Sequence, residues 1–191
     1  MDTATNDVLR AIQMRRSIGK LGGEVHDAQV RTLIEAAVWA PNHHLTEPWR
    51  FVVLRGDARE RLGQTWAALL AERTLLQGEE RENFLRREAN KPMRAPALIV
   101  VATRTDPDPI AAAEDFAATA AAVQNMLLAA PTLGLSAMWR TGEMAYSPEI
   151  KAHLGLDPQD RIVAIMHVGE PEMTAPNPRS RETETRIRWM N

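Results

Sequence analysis

A chain of 191 residues is long enough for one well-packed domain and short for two. Its 45% apolar and 25% charged residues are ordinary for a globular protein, and a formal charge of −2 gives no electrostatic drive toward nucleic acid or acidic membranes. The absence of cysteine excludes disulfides, a thiol nucleophile and a thiolate metal site. With no basic-then-apolar leader in "MDTATNDVLR", the expected location is the cytoplasm.

Taken in chain order, Val8, Ala11 and Ile12 have helical spacing, with Asn6 or Asp7 as a cap. That first helix is expected to end near Ser17, because Gly19, Gly22 and Gly23 follow. A second helix runs from about Asp27, with Val30, Leu33, Ile34 and Ala37 on one stripe, and Pro41 stops it. "WRFVVLRG", between Pro48 and Gly56, reads as a strand. Asp57 opens a third helix with Leu62, Trp66, Leu69 and Leu70 on its apolar face. Residues 78–90 are crowded with charge and read as an exposed helix or a mobile excursion. "ALIVVATR" (97–104) is a continuous apolar run, the pattern of a buried strand.

From Phe116 to Trp139 no residue is charged, long enough to raise the question of a membrane span. Gln124 and Asn125 in its middle, Pro131, Gly134 and many alanines argue instead for a buried helix (about 109–130), a turn and the short strand "LSAMW". No membrane association is expected. Ser147 and Pro148 form an N-cap and N1 pair for a helix through His153, and "RIVAIMHVG" supplies the last core strand. Beyond Gly169 the chain is proline-rich and polar, ending "RETETRIRWMN". No repeat or linker interrupts this order, so a single layered α/β or α+β domain follows, its strand directions left open.

Several chemistries are absent. There is no G-x-G-x-x-G after a strand and no G-x-x-x-x-G-K-[ST]. "GLSAM" lacks the second glycine of a hydrolase elbow, and His43 and His44 are adjacent rather than four apart on a helix, so neither a serine hydrolase nor a metal site is expected. An enzyme of this composition needs a bound cofactor for demanding chemistry.

Three segments remain: "RRS" (15–17), "APNHHLTEPWRF" (40–51) and "GLSAMWRTG" (134–142), with "VGEP" (168–171) closing the last strand. In this order, and from about residue 8 to residue 171, they resemble the nitroreductase family, closest to its small bacterial NAD(P)H nitroreductase subgroup. The resemblance implies an α+β, three-layer fold, a central mixed sheet flanked by helices, in an intertwined homodimer with flavin at the interface. It implies residues 1–191 as one flavin-binding domain whose tail, from about 172, wraps the partner subunit. It implies flavin mononucleotide (FMN) as cofactor, NADH or NADPH as reductant, and ping-pong hydride transfer through flavin N5 to a small-molecule acceptor such as a nitroaromatic or a quinone, with no side chain acting as catalytic acid.

Carried over residue by residue, the resemblance puts Arg15, Arg16 and Ser17 at the flavin phosphate and ribityl end. A phosphate bearing about two negative charges suits guanidinium forks. The competing reading of the pair is a solvated basic helix end. His43 matches a flavin-contacting histidine of the subgroup; the alternative is an exposed loop histidine. Leu45 and Glu47 depart from the asparagine and glutamine of many relatives, which puts ring hydrogen bonds from that loop in doubt. Trp139, Arg140 and Thr141 are expected to approach the flavin, Trp139 being equally readable as a core anchor. The turn Ala129, Ala130, Pro131, Thr132, Leu133 and Gly134 resembles a stretch assigned to the nicotinamide cofactor. Arg179 and Arg181 lie where some relatives have further phosphate-binding residues, and the alternating "TRIRWM" is suited to pairing with a neighbouring subunit's sheet. Two rivals are a non-catalytic flavin-storage protein on this scaffold and a module binding an anionic partner. The near-neutral charge speaks against the second, and no nucleic-acid partner is expected.

Overall fold

The computed structural model describes residues 3–177 and 182–190. Helix α1, Thr3–Met14, stops earlier than the glycines alone suggest. The Arg16 guanidinium turns back to donate to the carbonyls of Gln13 and Arg15, 2.6 Å from each, and so caps the helix end. Val8, Leu9, Ile12 and Met14 each stay about half exposed, so the apolar stripe of α1 has no partner within the described chain.

Among the described residues, five strands form one sheet: β1 (Leu21–Gly22), β2 (Trp49–Arg55), β3 (Ala97–Thr103), β4 (Ser136–Arg140) and β5 (Arg161–Pro171). β5 lies at the centre, pairing with β3, β4 and β1, and β2 pairs with β3. Every one of these pairings is antiparallel, so the mixed sheet expected from the resemblance is not present among the described residues. The reason lies in strand order. β3 and β4, joined through a long helix, run in the same direction, but β5 inserts between them and opposes both.

Helices cover both faces, making three α+β layers. α2 (Asp27–Ala37) and α5 (Pro109–Ala129) pack on one face, against Ile99, Val101, Met166 and Val168. α3 (Asp57–Arg73) and α6 (Pro148–His153) pack on the other, against Leu98, Val100 and Ile165. β3 is buried along its whole length because both layers cover it, not because it is parallel. α5, with the turn that follows it (Pro109–Leu133), is long and apolar enough to cross a membrane by length and composition. Here its stripe from Ala118 through Val123 to Leu127 lies on the sheet as a core helix.

The charge-crowded segment is α4, Gly78–Ala89, an ordered helix laid on α3 rather than an excursion. Gly63 makes the approach possible: a Cβ there would lie 2.0 Å from the Ala89 carbonyl oxygen. That close crossing sets α4 and the turn Lys91–Arg94 over one end of the α3 face. In β5 the register shifts opposite Val101 and Ala102, leaving Val163 as the extra residue of a bulge.

Candidate functional site

The side chains of β4 leave the sheet alternately. Met138 lies opposite His167 and Arg140 opposite Ile165 on the α3 face, whereas Trp139 lies opposite Met166 on the α5 face. Over the first group, between the sheet and α3 and α4, opens a cavity of about 530 Å³. Trp66, Leu70 and Phe84 form an apolar and aromatic wall, and His167 and Arg140 the polar side. The turn Thr141–Gly142, with Gly142 at φ 73°, closes one edge. This size and lining suit a planar small molecule.

A buried network fixes the wall. Glu88 is 8% exposed; its carboxylate accepts from the Trp66 indole at 3.1 Å and pairs with Lys91 at 2.5 Å. Burial pushes the Glu88 carboxyl pKa up, but Lys91 and Trp66 outweigh it and hold the group below its usual range. His167 is 6% exposed. Burial, with Arg140 and Arg94 adding repulsion, brings its imidazole down to about 4, so the ring is neutral at pH 7.

The segment carrying Arg15, Arg16 and Ser17 runs beside this site, although none of the three lines the cavity. Ile18 packs with Leu21 and Ala95 beside Arg94, and a Cβ on Gly19 would lie 3.6 Å from the Met138 methyl. Met138 Sδ in turn lies 3.1 Å from Arg140 Nε. Arg15, Arg16, Arg94 and Arg140 therefore stand on segments that pack together, and none has an ion-pair partner among the described residues. Arg16 is committed to backbone carbonyls, including that of Pro176 at 3.1 Å. Ser17 is exposed.

Other expected residues are not brought there within one chain. His43 lies in the loop before β2, and Trp49 of β2 pairs with Thr103, the far end of β3 from Ala95. Seven residues of strand, about 23 Å, separate the two ends. His44, Leu45 and Glu47 in that loop have φ of 54°, 53° and 43°, a left-handed conformation unusual for residues with side chains. The Thr46 hydroxyl, donating to buried Asp115 at 2.6 Å, and the Glu47 N–H, donating to the Asn42 side chain at 3.1 Å, hold it. Trp139 and Thr141 line a second, smaller cavity with Phe116 and Tyr146, and only Thr141 is shared with the first. Residues 129–134 pack on the α2 side, where Gln29 donates to the Leu133 carbonyl and Thr132 to that of Ala129. None of the six lines the cavity. Arg179 and Arg181 lie outside the described residues.

Comparison with known proteins decides the kinship. The profile described as the Nitroreductase family matches residues 12–170. The chain belongs to the nitroreductase family. The Bacillus subtilis protein YfhC, named "Putative NAD(P)H nitroreductase", is 34% identical over 171 residues, covering 87% of this chain and 86% of that one. YdjA of Escherichia coli, of the same description, is 29% identical, covering 88% and 91%. Among solved structures, a nitroreductase-like family protein from Bacillus cereus superposes with a TM-score of 0.82 at 30% identity, covering 96% of this chain and 95% of that one. A Desulfovibrio desulfuricans protein solved in complex with FMN gives 0.72 at 29% identity, covering 96% and 97%.

In this member of the family, sequence reasoning missed His167, Arg94 and the Trp66–Glu88 pair. The signal for His167 is a titratable side chain among the otherwise apolar residues 162–168, but a run apolar on both faces does not say which way it points. Arg94 has no such signal, because only the folding of its turn beside Ala95 and Ile18 brings it to the site.

Proposed function

We propose that this chain is an FMN-dependent oxidoreductase that takes reducing equivalents from NADH or NADPH and passes them to a small aromatic acceptor of the nitroaromatic or quinone type. One observation carries the reading. Arg140 lines the cavity, Arg94 acts by its charge on His167 there, and Arg15 lies on the segment packed beside them; the three are far apart in sequence and without ion-pair partners among the described residues. A phosphate-bearing planar ring fits this donor set: guanidinium forks for the anion and an aromatic-walled cavity for the ring. When bound, FMN supplies the two-electron redox centre that no side chain here can provide.

The chain's own residues do the rest. Arg15 and Ser17 hold the phosphate end, and Arg140 gives positive potential beside the ring, where charge develops on reduction. Trp66, Leu70 and Phe84 exclude water, and the Glu88–Lys91–Trp66 contacts keep that wall in place.

A second copy of the chain completes the site in this reading. It covers the apolar stripe of α1 and the exposed Ile187, Trp189 and Met190, and it delivers its own His43 loop from the other end of the sheet. The homodimer and the wrapping tail are part of the proposal.

The test is the absorption spectrum of purified protein, before and after anaerobic NADH or NADPH. A yellow protein that bleaches within seconds and recovers its colour with a quinone is expected. Colour that persists with either reductant leaves a storage protein, and a colourless protein that takes up no FMN removes the flavin reading.

A further inference from the structure

We propose that His167 is a binding residue of the cavity, hydrogen-bonded through its ring to a heteroatom on the edge of the planar heteroaromatic ring system that enters there. The proposal rests on the flavin reading above and adds to it a side chain that reads the ring's polar edge.

The placement is fixed by the sheet. His167 sits between Leu98 of β3 and Met138 of β4, so its side chain leaves on the α3 face and lines the cavity. Its neighbours on β5, Met166 and Val168, are fully buried apolar residues, and valine or isoleucine would fill a purely structural position at least as well. The residue is 6% exposed and its imidazole makes no hydrogen bond to a described residue, yet its nitrogens are not sealed from solvent: the access they have is through the cavity they line. A heteroatom entering the cavity is placed to take over the hydrogen bond that water otherwise supplies.

Charge favours a ring with carbonyl or anionic edge atoms. Arg140 from β4 and Arg94 from the turn before β3 act on the imidazole by their charge; Lys91 of the same turn and Glu143 also line the cavity, and Glu88 from α4 is tied to Lys91 and Trp66. In that setting the ring offers one N–H donor and one lone pair. A heteroaromatic edge that alternates acceptors and donors can use either. The flanking guanidiniums stabilise negative charge on the same edge without a further proton.

The test is titration of apo-protein with FMN at pH 7.5, read by flavin fluorescence, for wild type, His167→Leu and His167→Gln. The expected result is at least tenfold weaker binding for His167→Leu, with native far-UV circular dichroism, and binding within threefold of wild type for His167→Gln. A measurement on the unaltered chain guards against misfolding of a variant. In wild type labelled with ¹⁵N-histidine, FMN is expected to shift the side-chain nitrogens of His167, identified as the neutral histidine whose signals are missing from labelled His167→Gln, apart from any change at His43. Wild type that binds FMN with no shift of the His167 nitrogens, or His167→Leu that binds within twofold of wild type, overturns the role of His167 and leaves the flavin reading intact. Wild type that takes up no FMN overturns both.

Discussion

The two faces of the sheet are built from alternate residues of the same strands, yet they do different work. On the α2/α5 face the centre is filled: Leu33, Ile99, Ala122, Met126 and Met166 are all fully buried, and the smaller cavity beside Trp139 and Phe116 lies at its margin. Small residues along α5 let that long helix lie close to the sheet. On the α3 face the close crossing of α3 and α4 at Gly63 holds a wall over the strands, and beneath it a cavity stays open around a buried histidine and an arginine. Buried polar groups occur on both faces, Asp115 and Thr119 on α5 among them; what marks the α3 face is that its histidine and arginine open into a cavity.

The largest expected effect lies on the filled face. Leu33→Ala, at 0% exposure, should cost about 2–5 kcal/mol in urea unfolding by leaving a cavity that the core cannot close. Because Leu33 lies on the far side of the sheet from the cavity, FMN affinity of the folded variant should stay within about twofold, a factor worth only about 0.4 kcal/mol. A comparable loss of flavin affinity would show the two faces to be coupled.

The open face should instead respond to pH. The imidazole of His167 sits at about 4 in the folded chain against an ordinary value of 6.5, so between those values the unfolded chain takes up a proton that the folded one refuses. Its contribution is present above pH 6.5 and is lost as pH falls toward 4, by up to roughly 3 kcal/mol. Glu88, held below its usual range, loses its contribution only at lower pH, under 4.5. Thermal unfolding of wild type and His167→Gln from pH 7.5 to pH 4.5 isolates the histidine: the wild-type midpoint should fall more steeply. Parallel curves would place His167 in a wetter setting than its burial implies.

Much of this architecture was readable in advance, because strands and helices announce themselves locally. "ALIVVATR" and "WRFVVLRG" became β3 and β2 almost to the residue, and Ser147–Pro148 opens α6 with the serine hydroxyl accepting from the Ile150 N–H. Strand order was not readable, since the insertion of β5 between β3 and β4 is a long-range pairing with no local mark. The site divides in the same way. The "RRS" and "WRTG" segments were found as motifs, but a motif does not say which face each side chain takes, so Trp139 and Arg140 looked like one unit. His167 was hidden by a run so apolar that its two faces could not be distinguished.

Trp139 gives the smallest and most discriminating test of the two faces. Its indole N–H donates at 2.9 Å to the carbonyl of Val163, the extra residue of the β5 bulge, which lies beyond the end of β4 and so has no strand partner on that side. Trp139→Phe keeps most of the apolar contact and removes that donor, leaving the carbonyl of Val163, a residue only 2% exposed, without its partner. A loss of about 1–3 kcal/mol is expected. Since the side chain points away from the cavity that holds Arg140 and His167, FMN affinity should be unchanged within error while stability falls. If Trp139→Phe lost flavin but kept its stability, the ring would belong to the cofactor, reached through the smaller cavity or from a second copy. The division of labour between the faces would then fail at β4, the strand where they come closest.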